Sequence, residues 1–497
     1  LIIKVAGYNV EADLLENLDA SNRDVTTILT PEIFSSAYAR ISRSSRDVTT
    51  LRLQARRDVE KARKSNQKII FGMGHHSVAE HAVFNFDIIG VSRLALEELE
   101  QFRLVSYTEK SQRYITLQGD YVLPEEIEDL ESRKFFRDTI TIQNEFYKKS
   151  FALLKEYIFN TYPHLARTKT NRRLLEGWAK EDARYILSLA TEGQVGMTIN
   201  ARNLEHLFRR FHLSRRAEVK EIGKRMFEQV EKIAPSIFLF SQPSQFSKDL
   251  THSFKDNFIN IKIDDSDNID KKINLDPQII QYSANGDDII LASFLSIFNS
   301  KNFDDALDII KGMEAFEKEK IFNDLFKNME FFDTTPREFE MVDITFQAVI
   351  SASNFAQLKR HRMATLLSGD YNIKHGNIIP ENIKKIGLEK EFLQIIDKTN
   401  KVYLKLKEKY GDAGDYILTN SHCRHVIMRM NLREVYHFIR LRSDENAQWD
   451  IRQLADRLLK QVKAVMPMST LLLCGKSDFV RNFETIYNKN RNFIFKF

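Results

Sequence analysis

Apolar side chains recur along this 497-residue chain with two periods, and the switches between them mark out its elements. Residues 1–8 read as a strand. Thr30-Pro31-Glu32 opens a short helix, since a proline just inside a helix sacrifices no useful N–H. Residues 52–68 form a strongly charged helical stretch, broken by Gly72-Met73-Gly74. The period falls to two over 82–89, a strand, and returns to helical over 92–102. A polar loop, 103–114, precedes the strand-like 121–124. Helices are expected over 128–157, 171–189 and 203–234, the second capped near Gly193 and the third stopped by Pro235.

From 236 to 274 the composition changes to Ser, Lys, Asp and Asn, and Asp264-Asp265-Ser266-Asp267-Asn268 reads as linker. The pattern then restarts. A strand is expected over 279–284 and a helix over 302–328. Residues 343–367 read as a helix because Ile344, Ala348, Val349, Ala352, Phe355 and Ala356 recur near the 3.6-residue spacing. Further helices are expected over 417–429 and 433–466, the last ended by Pro467. On a helix, Arg360 and Arg362 would point roughly 160 to 200° apart about His361, able to reach different parts of one long anionic ligand.

Length alone suggests about two or three domains. The composition, 43% hydrophobic and 29% charged, is that of a globular protein, and a formal net charge of +5 is too small to imply nucleic acid. With only Cys423 and Cys474, no disulfide framework is needed and a reducing cytoplasm fits. No apolar run approaches the roughly 18 residues of a membrane span, and the first ten residues lack a cationic signal region, so neither membrane nor secretion is expected. No G-x-G-x-x-G follows a strand, so a flavin would be held by something other than a Rossmann turn. His75, His76 and His81 lack the spacing of a helical zinc site, and His422, Cys423 and His425 are too close together to converge on one ion, so no metal is expected. The loop carrying Ser106, Glu109, Ser111 and Arg113 has the hydroxyls and guanidinium to hold a phosphate, or is an ordinary polar surface loop.

One order of elements occurs twice. Asn200-Ala201-Arg202-x-Leu204-x-His206 mirrors Asn431-Leu432-Arg433-x-Val435-x-His437, a period of roughly 230 residues that marks a duplicated domain. Arg360-His361-Arg362 with Ser368-Gly369, Asn431-x-Arg433, His437-Phe438, Leu441-Arg442 and Ala447-Gln448-Trp449-Asp450-Ile451 resembles the flavin-dependent thymidylate synthases. The first half resembles the same family through His76-x-x-x-x-His81, Ser106-Tyr107-x-Glu109-x-Ser111-x-Arg113-Tyr114 and Asn200-Ala201-Arg202. Each half departs from the pattern. The first has Gln101-Phe102-Arg103 for Arg-His-Arg, Phe211 for a substrate-binding Arg, and Gln194 where a further phosphate-binding Arg is expected. The second lacks the Glu and Arg of the loop, running from Met363 to Ser368-Gly369-Asp370-Tyr371.

The resemblance implies an α+β fold of two tandem domains, 1–235 and 275–497, joined by 236–274 and forming an intramolecular pseudo-dimer, two of which would pair as a homodimer. It implies one composite site. Glu109, Lys110, Ser111, Gln112 and Arg113 of the first half would bind substrate with Gln357, Arg360 and Arg442 of the second, Arg442 also polarising a pyrimidine carbonyl. FAD would be held by Ser77, Arg360, His361, Arg362, Asn431, Arg433 and His437, and would carry hydride while the protein orients it. The implied reaction converts dUMP to dTMP, with methylenetetrahydrofolate and NADPH as co-substrates. Another pyrimidine nucleotide as substrate, or a non-catalytic flavin- or nucleotide-binding protein, are the alternatives.

Overall fold

The structure, a computed structural model, describes residues 1–16, 29–113, 115–250 and 275–488. Tyr114 and the Asp264–Asn268 stretch of the expected linker lie outside the described residues. The chain divides into two compact units, Leu1–Asp270 with Glu381–Thr419, and Lys271–Pro380 with Asn420–Phe497. The fold is α+β with two four-stranded antiparallel sheets.

In the first unit the strands β1 (Ile2–Tyr8), β2 (Val83–Ser92), β3 (Val105–Glu109) and β4 (Glu192–Asn200) take the order β1-β2-β4-β3. In the second, β5 (Gln278–Tyr282), β6 (Asp343–Ser351), β7 (Thr365–Tyr371) and β8 (Cys423–Asn431) take the same order, β5-β6-β8-β7. Each sheet buries one face. Phe84, Phe86 and Ile88 of β2 with Val195, Met197 and Ile199 of β4 do so in the first unit, and Ile344, Phe346, Val426 and Met428 in the second.

The duplication extends to contacts. One outer strand of each sheet, β1 or β5, is held by a glutamine amide: Gln229 accepts from Val5 N (2.8 Å) and donates to Ile3 O (2.9 Å), while Gln461 accepts from Ile279 N (3.2 Å) and donates to Pro277 O (2.6 Å). Ser92 and Ser351, which cap the helices Arg93–Leu99 and Ala352–Leu358, each donate a hydroxyl to an acid at the start of a later helix, Glu218 and Asp450. The arginine of each Asn-x-Arg motif pairs with a glutamate in the 3₁₀ turn before the central strand, Arg202 with Glu80 and Arg433 with Glu340. The asparagines of that motif are N-caps: Asn200 Oδ1 accepts from Asn203 N (3.0 Å), and Asn431 Oδ1 from Glu434 N (2.9 Å).

Several expected elements differ. Residues 343–351 form β6, and only Ala352–Leu358 of the expected 343–367 helix is helical. Ile344, Phe346, Ala348 and Ile350 are buried at period two, while Val349 on the other face completed an apparent helical stripe. His361 and its flanking arginines therefore lie beyond the helix, in turns closed by Arg360 N to Gln357 O and Ala364 N to His361 O, so the angular argument from helix geometry does not apply. The expected 417–429 helix is instead largely strand: Cys423–Asn431 is β8, with Val426, Met428 and Met430 buried. Gly193 is no helix cap. It lies in β4, where a Cβ would stand 2.8 Å from Leu96 Cδ1 and the leucine side chain would have to turn aside. Ser106, Tyr107 and Glu109 lie on β3 rather than in a loop. Ile237 and Phe238, placed by composition in the linker, are buried in the first unit's core.

The first unit also holds three long helices, Leu130–Thr161, Lys169–Ala183 and Glu389–Tyr410. Gln143 on the first donates to Thr399 Oγ1 (3.0 Å) and Ile417 O (3.1 Å). No helix among the described residues is long and apolar enough to cross a membrane.

Candidate functional site

The second unit builds its polar site where the helix Ala352–Leu358 runs out beside the helix Leu432–Arg442. Arg442, in the last turn of the latter, donates Nε to His361 Nε2 (2.9 Å), Nη1 to Gln357 Oε1 (3.4 Å) and Nη2 to Gln357 O (3.3 Å). Since Nε2 accepts, the His361 proton is on Nδ1, which faces Glu434 Oε1 at 3.2 Å. The imidazole is buried, edge-on to Phe438 at 4.9 Å between ring centres. Burial, then the Arg442 charge and His437, hold its pKa well below 6.5, so it is neutral and its contact with Glu434 is a hydrogen bond rather than an ion pair. Burial also lifts Glu434 above the ordinary carboxylate range.

This chain of groups borders a cavity of about 390 Å³ whose lining includes Asn431, Arg433 and His437. Three features suit it to a flavin nucleotide. Phe331, Phe332 and Met363 give it an apolar wall. Arg433 is fixed by Thr335 O (2.9 Å) and Glu340 Oε1 (2.7 Å). Arg440 also lines it, with a buried Nη2 that has no hydrogen-bond partner among the described residues, a donor suited to a phosphate or carbonyl oxygen. Phe331, Phe332 and Arg440 were missed in the sequence, because the first two stand about a hundred residues before Arg433 and Arg440 is masked by its neighbour Arg442. Arg360 is exposed and Arg362 half-buried, and neither is in the cavity lining, which Met363 enters from that segment.

The first unit gathers a different set. Glu109 at the end of β3 faces Arg93 (Nη1 to Oε1 3.5 Å), and Arg113 pairs with Glu181. Ser111 Oγ accepts from Arg113 N at 3.1 Å, tightening the turn that aims the guanidinium. Gln112 is buried, and Lys110 is exposed with its N–H on Gln194 O (2.9 Å). Gln194, where the family pattern leads one to expect an arginine, thus serves β4 through its backbone. A buried guanidinium is present at Arg184 instead, near enough to Arg93 and Arg113 for their charges, after burial itself, to push its pKa down to about 10. Arg93 and Arg113 are each paired with a carboxylate, Glu109 and Glu181, and Arg184 leaves the cluster one guanidinium richer than its acids. Arg93 and Arg184 were not legible as site residues, since each sits in an otherwise ordinary helical stretch.

Ser77 is exposed in the 3₁₀ turn His76–His81 of this unit. The two histidines of that turn part company: His81 meets the Tyr38 ring (4.7 Å), and His76 meets Phe71 (5.9 Å). Among the described residues no three His, Cys, Asp or Glu form a metal-holding group. At the first unit's counterpart of the Arg442 position, Phe211 is buried against Phe102 (6.1 Å). Both cysteines are buried and their thiols pushed up by burial, so neither is poised as a nucleophile.

The chain matches the sequence profile of the family described as thymidylate synthase complementing protein, Thy1, twice, over residues 25–236 and 278–468. A UPF0159 protein of Thermoplasma acidophilum is 24% identical over 81% of this chain and 86% of its own length. A UPF0159 protein of Chlamydia pneumoniae is 22% identical over 83% of this chain and 81% of its own. A flavin-dependent thymidylate synthase of Clostridium tetani is 33% identical over 179 residues, 35% of this chain and 69% of its own length.

Proposed function

Because the chain belongs to the Thy1 family, we propose that it is a flavin-dependent thymidylate synthase, converting dUMP to dTMP with methylenetetrahydrofolate and NADPH. The observation that carries this reading is the bonded set Gln357, His361 and Arg442 beside a cavity fitted for a flavin nucleotide. FAD, when bound, supplies the hydride chemistry. Asn431, Arg433, His437 and Arg440 would hold it, and the Phe331–Phe332 wall would exclude water from one side.

Arg442, aligned by a neutral imidazole, presents positive charge to a pyrimidine carbonyl as negative charge develops there. A protonated His361 would repel that guanidinium, so the neutral form is the aligning one. Arg113, with Ser111 and Arg184, would take the nucleotide phosphate. The Arg113 set belongs to the first unit and the Arg442 set to the second. Support for a flavin route comes also from the cysteines, since the nucleophilic route to thymidylate needs an activated thiolate and both thiols are buried with raised pKa.

The test is direct. Purified full-length chain, incubated with dUMP, methylenetetrahydrofolate and NADPH, should yield dTMP and should copurify with FAD. A flavin-loaded protein that makes no dTMP, yet modifies another pyrimidine nucleotide, would move the substrate assignment. A flavin-free protein inert on all of them would sink the enzymatic reading.

A further inference from the structure

The whole-chain charge of +5 conceals two opposed blocks. After β1 and the short helix Ala12–Glu16 come three helices, Glu32–Ile41, Val48–Arg57 and Val59–Gln67, and residues 32–68 carry ten Lys and Arg against four Asp and Glu, net +6. The three helices after β5, Gly286–Phe298, Phe303–Lys311 and Ala315–Phe326, carry four against nine, net −5. The two blocks differ in how their charge is used. Most of the acidic block's carboxylates serve local bonds: Asp288 to Lys318 (2.8 Å), Asp308 to Lys311 (3.7 Å), Asp324 to Lys327 (3.1 Å), and a capping box between Glu314 and Glu317.

In the basic block the nearby acids are consumed before the cations are. Arg52 and Arg56 take Glu11, and Arg63 takes Glu32 and Glu60. Asp47 and Asp58 cap helices, accepting from Thr50 N and Lys61 N at 2.9 Å each. Arg57, Lys61, Lys64 and Lys68 are left exposed, with no ion pair among the described residues. Lys61, Lys64 and Lys68 stand at i, i+3 and i+7, one face of the helix and of the turn that continues it. Where this stripe ends, Phe71 packs edge-on to Phe240 (4.7 Å) and to His76 (5.9 Å), and Phe240 remains 48% exposed.

We propose that this face binds single-stranded nucleic acid. The ammonium and guanidinium groups would neutralise successive phosphates, and the exposed Phe240 ring would take an unpaired base. The acidic block of a second chain is the competing occupant, and its largely satisfied carboxylates make it the weaker one. This inference is independent of the proposed synthase activity, since it uses none of the residues assigned to it.

The experiment is fluorescence anisotropy of full-length protein with labelled mixed-sequence RNA and DNA strands of about 20 nucleotides, and with a duplex of the same length. Four phosphate contacts on a single strand predict a log–log salt slope of about −2.8, or roughly 50-fold weaker binding at 200 than at 50 mM. The triple variant Lys61→Glu, Lys64→Glu, Lys68→Glu should lose at least about tenfold in affinity and flatten the slope. Phe240→Ala should weaken single-strand binding about 5- to 100-fold and leave duplex binding unaltered. Circular dichroism and flavin content verify that the variants are folded. Absence of oligonucleotide binding at low salt, an unchanged triple variant, or a preference for duplex overturns the proposal. So does a triple variant that falls from multimer to single chain by light scattering while the wild type ignores oligonucleotide, which would assign the face to chain–chain contact.

Discussion

The helices Ala201–His212 and Leu432–Arg442 follow the last strand of their sheets, begin with the same asparagine cap, and bind their second residue, arginine, to an equivalent glutamate. In their last turn they diverge. At Arg442 the second unit carries a charge that reaches His361, whereas at Phe211 the first unit carries a ring buried against Phe102, with Gly223 beneath it because a Cβ there would stand 2.9 Å from Phe211 Cβ. The contrast runs the other way across the sheet. Registers with the last strand place Glu109 opposite Val195 and Ser368 opposite Val426, so the acid of one unit is a serine in the other. A duplicated frame has kept the contacts that fold it in both copies and divided the polar groups between them.

The strongest challenge to this division is to remove each polar half in turn. Arg113→Ala and Arg442→Ala should each lower nucleotide affinity by roughly 2 to 5 kcal/mol and abolish dTMP formation, although they lie in different units. Calorimetry should find one nucleotide per wild-type chain, and two equal sites would break the comparison. Next in size is the mirrored pair. Phe211→Ala should cost about 3 to 5 kcal/mol of stability, read from denaturant midpoints, and leave flavin content unaltered. Phe211→Arg should destabilise rather than activate, because it buries a guanidinium in an apolar contact.

Flavin content sharpens the contrast further. His437→Ala and Arg440→Ala, on the helix Leu432–Arg442, should reduce bound FAD per chain, measured by absorbance, each giving a partial loss since several groups share the contact. Unchanged flavin in both would remove this segment from the cofactor's site. A smaller effect is set by pH. The folded pKa of His361 is depressed, so the unfolded chain takes up the proton first as pH falls. The neutral imidazole's contribution is complete above about pH 6.5 and declines below it, by at most about 1.4 kcal/mol per pH unit. His361→Gln should therefore flatten the fall in stability between about pH 6.5 and 5.5. Smallest, Gln229→Ala and Gln461→Ala should each cost about 1 kcal/mol, and by similar amounts, if the two clamps are equivalent.

The duplication was legible because it repeats residue spacing, and the Asn of Asn-x-Arg is a helix cap that depends on local sequence, whereas the ion pair of its Arg reaches a distant glutamate. The Gln357, His361 and Arg442 set was legible through short motifs. β6 and β8 were not, because strands with apolar residues on both faces imitate a helical stripe over ten residues, and only pairing partners eighty residues away decide between them. Arg184 was invisible for a related reason: its role depends on Arg93 and Arg113, which reach it through the fold rather than through spacing. Charge segregation was hidden by addition, since opposite blocks cancel in a whole-chain total.

The glutamines that hold β1 and β5 bear on how such a chain avoids sticking to itself. An outermost strand ordinarily presents unpaired amides and carbonyls to any extended segment that drifts by, and that is how sheets fuse into aggregates. Here one carboxamide occupies both a donor and an acceptor on that rim in each sheet, at Val5 and Ile3 and at Ile279 and Pro277. Doubling a gene doubles such rims and sets identical ones on one polypeptide, where their effective concentration is high. A side chain seated on the β1 rim, with its counterpart on the β5 rim, therefore lowers the chance that these duplicated edges pair with one another.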